Sequence, residues 1–292
     1  MAILTDRPST GFAAQTVYEH LSFTPKDTVC GNLVLVNRQH PIKNDPPSHD
    51  LIDINNQQHD LLVPHQGSFV NLLSHLAHPV EEVPLQKQAA TMLFSLIKKS
   101  GSAGTLTAVS GYRSYQEQLT VWNDTVSKEG ASFAEKYVAY PGCSEHQTGL
   151  AIDLAGTAPS IDYICPDLPR TGAISTFCRL APQFGFILRY PEGKEKVTQI
   201  GYEPWHFRYV GFPHSIIMTD RKMVLEEYLE MLETETSPLK PFTYMQDGAH
   251  IDIIHLSMKN RQTVEIDFSD VLPHTISGTN KSGIVITRFR RR

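Results

Sequence analysis

The run GLAIDLA, Gly149 to Ala155, sets a carboxylate in the middle of an apolar stretch short enough to be a buried strand. An ionised carboxylate taken out of water is costly unless the fold brings it a partner. The residues leading into the strand, PGCSEHQTG, contain no Lys or Arg. They do contain His146, seven residues before Asp153. Two readings are open: a loop entering a strand whose aspartate closes a turn, or two of the protein ligands of a metal ion.

A hydrolytic zinc site takes three nitrogen or carboxylate ligands from the protein, an open position for water, and a base. GYEPWHFRYVG, from Gly201, offers His206 as a third ligand and Glu203 as a spare carboxylate. In an extended chain those two side chains would lie about 10 Å apart and on opposite faces. Pro204 is unsuited to a helix interior. The metal reading therefore requires a bend at Glu203-Pro204. SGYRSYQEQ, from Ser110, adds Arg113 just after a strand and Gln118 on the helix that follows; a guanidinium there can grip a carboxylate or a developing oxyanion. Plainer readings exist for each residue: a loop histidine, a turn-closing aspartate, a histidine packed between Trp205 and Phe207, and a surface arginine. Residue types alone leave the two readings even.

The three stretches SGYRSYQEQ, PGCSEHQTGLAIDL and GYEPWHFRYVG, in that order and with these gaps, closely resemble the signature blocks of the VanY-type D-alanyl-D-alanine carboxypeptidases, relatives of the VanX dipeptidases and the bifunctional VanXY enzymes. The resemblance covers roughly residues 33–211. It implies zinc held by His146, Asp153 and His206, Glu203 as catalytic base, and Arg113, Gln118 and Ser144 in contact with substrate. Cys143 departs from the pattern, which usually has another small residue there. The implied activity is removal of the C-terminal D-alanine from a peptidoglycan stem peptide or its precursor. Cleavage of an L,D bond and hydrolysis of free D-Ala-D-Ala are alternatives on the same site. A non-catalytic, zinc-containing peptide-binding module is a further alternative, disfavoured by Glu203, since a closed structural site has no use for a spare base.

Short strands mixed with helices, without regular βαβ alternation, predict an α+β fold: an antiparallel sheet flanked by helices and carrying the zinc site. PLQKQAATMLFSLIKKSG, from Pro84, has helical apolar spacing, lysines in its last turn and a terminal glycine. TDRKMVLEEYLEMLETE, from Thr219, reads as one helix capped by Thr219. GNLVLVNRQHPI, from Gly31, reads as a strand. The chain divides into an N-terminal arm (1–32), the catalytic unit (33–237) and a small β extension (238–292) of three strands. The extension reads as a partner-binding or dimerisation element, because three strands alone are marginal unless packed on something.

The net charge of -5 argues against nucleic acid as a partner, and the terminal RFRRR reads as a solvated chain end. No run of about 18 apolar residues is present, so no membrane-spanning segment is expected. The start lacks a signal-peptide pattern. A cytoplasmic location is therefore expected, or the cell envelope if an N-terminal anchor has been removed. Four cysteines without a CxxC pair fit either redox compartment.

Overall fold

A computed structural model of the chain describes residues 19–42, 45–46, 50–57, 68–70, 82–246, 248–281 and 283–290. Most of the expected N-terminal arm (1–18), part of the following polar loop and the last two arginines of the tail lie outside the described residues. The elements in the first half of the chain are β1 (Glu19–Phe23), β2 (Leu51–Asp53), α1 (Ile54–Gln57), β3 (Ser68–Val70), β4 (Pro84–Gln86), α2 (Lys87–Ser100), β5 (Leu106–Ser110), α3 (Tyr115–Glu129) and α4 (Ala131–Tyr137). Then come β6 (Ala151–Gly156), β7 (Ser160–Asp162), α5 (Gly172–Leu180), β8 (Phe186–Leu188), α6 (Glu195–Thr198), β9 (His206–Tyr209), α7 (His214–Asp220) and α8 (Leu225–Glu235). The chain closes with β10 (Phe242–Gln246), β11 (Ala249–Ser257), β12 (Val264–Phe268), β13 (His274–Gly278) and β14 (Gly283–Arg290).

The fold is α+β, as expected. Its central feature is an antiparallel sheet of order β5-β6-β9-β8. Side-chain alternation divides the work of its two faces. Ile152 and Leu154 of β6, with Phe207 and Tyr209 of β9, face one way and pack into the main apolar core with Leu93, Leu96 and Ile97 of α2 and Phe177 of α5. Asp153, between the first pair, and His206, just before Phe207, face the other way. That second face is flanked by a smaller apolar cluster which Val121 of α3 and Val138, just beyond α4, share with Val109 and Ala155. The register places Asp153 directly opposite His206, so two residues 53 apart in sequence become cross-strand neighbours. Between Ala108 and Ser110 the β5 ladder slips, bringing Ser110 opposite Asp153. A bulge of this kind re-aims side chains beside a site.

Three local expectations are revised. The segment Leu33–Val36 is buried but belongs to no ladder. Its carbonyls are taken by side chains instead: Arg208 donates to Val34 O at 2.9 Å and Asn280 to Leu35 O at 3.0 Å. The single helix expected from Thr219 is two helices, broken where Lys222 adopts a left-handed φ of 54°. Thr219 sits in the last turn of α7, and its hydroxyl bonds back to Ser215 O. Beyond residue 238 there are five strands rather than three. β10 and β13 complete a sheet of order β10-β11-β14-β13.

One face of that second sheet buries Ile251, Ile253 and Val285 against Tyr228, Leu229 and Leu232 of α8 and against Leu33 and Leu35. Its other face, through Ile254, Leu256, Ile284 and Ile286, meets Phe23 of β1 and Val264, Ile266 and Phe268 of β12. β1 itself pairs with β12 along five residues. No described helix is long and apolar enough to cross a membrane.

Candidate active site

His146 rides on a 3-10 turn, Glu145–Thr148, that ends at Gly149 in a left-handed conformation (φ 67°) before the chain enters β6. The turn is pinned at both ends: Arg113 N donates to His146 O at 3.2 Å, and Gln86 N donates to Gly149 O at 2.8 Å. The His146 ring sends Nδ1 to the carbonyl of Gly111 at 2.7 Å. That bond fixes the proton on Nδ1 and leaves the Nε2 lone pair pointing into the site. Nε2 lies 3.0 Å from Asp153 Oδ2, while His206 Nδ1 lies 2.8 Å from Asp153 Oδ1. The two rings stand nearly perpendicular, with centroids 5.0 Å apart.

All three side chains are buried, and one ligand atom from each falls within 4.8 Å of the other two. Two imidazoles converging on one buried carboxylate, one of them with its tautomer already set, fit a divalent cation, and a donor set of two histidines and one carboxylate suits zinc. The electrostatics agree. Burial disfavours ionisation of Asp153, but the flanking His146 and His206 rings override it and hold the carboxyl well below the usual range. Burial depresses His146 below its ordinary value. His206 also loses solvation on burial, yet Asp153 pushes it up to about 9.

The bend required at Glu203-Pro204 is present: His206 N donates back to Glu203 O at 3.3 Å, and Glu203 N is held by Tyr190 O at 3.1 Å. Glu203 is buried, with Oε2 3.7 Å from His206 Nδ1, beside the ligand set and outside it. Burial, with Asp153 nearby, raises its carboxyl to about 8 against the opposing pull of His206. Arg113 is buried too. Its Nη2 donates to Ser110 Oγ at 2.9 Å and sits 4.0 Å from Asp153 Oδ2, and its Nε has no hydrogen-bond partner among the described residues. Gln118 spends Nε2 on Ala139 O at 2.6 Å and keeps Oε1 free in the cavity wall. Ser144 is buried in the same wall. The cavity these residues line has an empty volume of about 440 Å³, with Tyr163, Tyr190 and Trp205 supplying its aromatic sides.

All seven candidate residues thus meet in one cavity. Sequence reasoning passed over Glu145, although it stands beside His146 in the quoted block; it is 1% exposed and ion-paired to Arg189 and Arg208. Tyr163 and Tyr190 were also missed, since no spacing rule marks a lone tyrosine as cavity lining.

An α+β fold with two buried histidines and an aspartate converging on one point, and an unligated glutamate beside them, defines a metallohydrolase site. Residues 82–212 match the family model of VanY, D-alanyl-D-alanine carboxypeptidase. The bifunctional D-Ala-D-Ala dipeptidase and carboxypeptidase VanXYC of Enterococcus gallinarum is 38% identical over 203 residues, covering 68% of this chain and 94% of that protein. A D-alanyl-D-alanine carboxypeptidase of Enterococcus faecium is 29% identical over 268 residues, 92% of this chain and 78% of its own length. The crystal structure of the vancomycin-resistance D,D-dipeptidase VanXYg, in complex with a D-Ala-D-Ala phosphinate analog, aligns with a TM-score of 0.81 and 32% identity over 94% of this chain and 100% of its own. The chain belongs to the VanY family of D-alanyl-D-alanine carboxypeptidases.

Proposed function

We propose that this chain is a zinc-dependent D-alanyl-D-alanine carboxypeptidase that releases the C-terminal D-alanine of peptidoglycan stem peptides or their precursors. The observation that carries the proposal is the convergence of His146, Asp153 and His206 with Glu203 beside them and free of the ligand set. Zinc bound there supplies a Lewis acid for the scissile carbonyl and a water acidified towards neutrality. Glu203 takes the proton from the attacking water and returns it to the leaving amine nitrogen. A divalent cation among the ligands would oppose the upward shift of Glu203 and favour the carboxylate needed as base. Arg113, fixed by Ser110, holds positive charge against the developing oxyanion or the substrate carboxylate. Gln118 Oε1 accepts a substrate N–H, and Ser144 lines the wall beside it.

Hydrolysis of free D-Ala-D-Ala is a second reading, favoured by the similarity to VanXYC and VanXYg. A cytoplasmic location goes with the free dipeptide, and a cell-envelope location with wall-borne stems. Self-association through the C-terminal strands belongs to the same proposal: β10 and β13 are the outer strands of their sheet, and light scattering on the full chain tests it. The decisive experiment pairs zinc analysis with a D-alanine release assay on the dipeptide, a D,D-pentapeptide and an L,D-tetrapeptide. Bound zinc with release from a D,D substrate is expected. Release from the tetrapeptide alone would move the chain to the L,D class, and no release from any of them would remove the peptidase assignment.

A further inference from the structure

Glu145 directly precedes His146, yet its carboxylate serves the other histidine. Oε1 accepts from Arg189 Nε at 2.8 Å and lies 2.7 Å from Arg208 Nη1. Arg189 spends its remaining nitrogens on Glu226 of α8, at 2.9 and 2.7 Å, and Glu226 in turn accepts from Asn37 at 3.3 Å. Arg208 donates to the carbonyls of Asn32, Val34 and Tyr209. Arg189 and Arg208 are both fully buried, so two guanidiniums and a helix clamp one carboxylate in place.

The second oxygen is the informative one. Glu145 Oε2 has no hydrogen-bond partner among the described residues, and neither does His206 Nε2; both are buried, and they face each other at 3.8 Å. Two orphaned polar atoms pointing at one another inside a protein call for an explanation. A carboxylate recruited only to neutralise arginines would have turned both oxygens to them. His206 Nδ1 is the nitrogen on the ligand side, against Asp153. A neutral imidazole offering its lone pair from Nδ1 carries its proton on Nε2, where Glu145 Oε2 waits.

We infer that Glu145 is a positioning residue of the metal centre: its carboxylate accepts the Nε2–H of His206, sets the ring's tautomer and aims Nδ1 at zinc. The inference rests on the zinc reading above. At 3.8 Å the contact is too long for a hydrogen bond, and Nδ1 is held by Asp153. A cation taking Nδ1 in place of Asp153 would let the His206 Nε2–H reach Glu145 Oε2.

Long-range 1H–15N correlation on zinc-loaded, 15N-histidine-labelled full chain reads the tautomer directly. The expected result is His206 bound through Nδ1 with a slowly exchanging proton on Nε2. Coordination through Nε2 overturns the inference while leaving the peptidase reading intact; a chain that takes up no zinc fails at the earlier step. In a chelator competition, Glu145→Gln should bind zinc about 10- to 100-fold more weakly, the usual cost of losing an outer partner of a metal ligand. Glu226→Gln, which cuts the far end of the network, should lower stability and leave zinc affinity unchanged. Unchanged affinity in Glu145→Gln, or equal losses in both variants, refutes the assignment, and the tautomer measurement decides the matter even where Glu145→Gln does not fold.

Discussion

On the proposed mechanism, a single carboxylate separates a metal-binding cavity from a catalytic one. Glu203 lies 3.7 Å from a ligand nitrogen without sharing the ligand position, held by the bend before β9. Glu203→Gln keeps the shape of the side chain and removes only its capacity to take a proton. Zinc content should stay at the wild-type level while D-alanine release falls by about three orders of magnitude, as expected for a lost general base. Normal turnover in that variant would take Glu203 out of the chemistry. Arg113→Lys replaces a planar fork by a point charge at a site where Nη2 is already committed to Ser110. It should slow turnover about 10- to 100-fold with zinc content unchanged, a smaller effect than loss of the base. His146, Asp153, His206 and Glu203 were legible in sequence because their types, and the long blocks around them, carry chemistry on their face. Glu145 was not. Its meaning depends on Arg189 and Arg208, 44 and 63 residues further along, and no local pattern announces that they fold back onto it.

Helices α2 and α3, whose ends carry their own signals, match the sequence reading. α2 ends at Gly101 in a left-handed conformation with lysines in its last turn, and Ser114 caps α3 by accepting from Glu117 N while the Glu117 carboxylate reaches back to Ser114 N. Elements defined by their neighbours depart from it. Leu33–Val36 has strand composition, but side chains from β9 and the C-terminal region occupy its carbonyls where a ladder would be. The helix from Thr219 breaks because α8 starts afresh at Leu225, with Glu227 accepting from Val224 N at 3.0 Å and held in turn by Lys194. The turn that delivers His146 to the site shows how little freedom such junctions have. Gly149 sits at φ +67°, and a Cβ there would meet Leu51 Cδ2 at 2.7 Å and Gln86 Cγ at 3.3 Å. Gly149→Ala should therefore cost about 1–3 kcal/mol in urea unfolding of the metal-free chain. It should also weaken zinc binding, because the strain falls three residues from a ligand; a variant matching wild type in both measurements would show that the turn yields freely.

At the scale of the molecule, the strands beyond residue 238 are built into the catalytic half. Coverage of 94% by VanXYg takes in most of them as well as the signature blocks. His214 of α7 is one of the pins: Nδ1 meets Tyr228 OH of α8 at 2.8 Å and Nε2 meets Thr287 Oγ1 of β14 at 3.1 Å. Burial pushes this histidine down to about 3; among the described residues no carboxylate offsets the lost solvation, and Arg221 is the charge acting on its partner Tyr228. The folded chain therefore keeps His214 neutral, while an unfolded chain protonates it below about 6.5. Between those two values the unfolded state binds the extra proton, so stability falls as pH falls and is unaffected by this group above about 6.5. The loss should reach about 2 kcal/mol by pH 5. Urea unfolding of the metal-free chain at about pH 8 and about pH 5, wild type against His214→Gln, isolates the effect because every other titrating group is common to both. The variant should lose about 2 kcal/mol less than wild type over that interval. Equal acid sensitivity would mean that His214 takes up its proton in the folded chain, and that the contact between α7, α8 and β14 opens to water without unfolding.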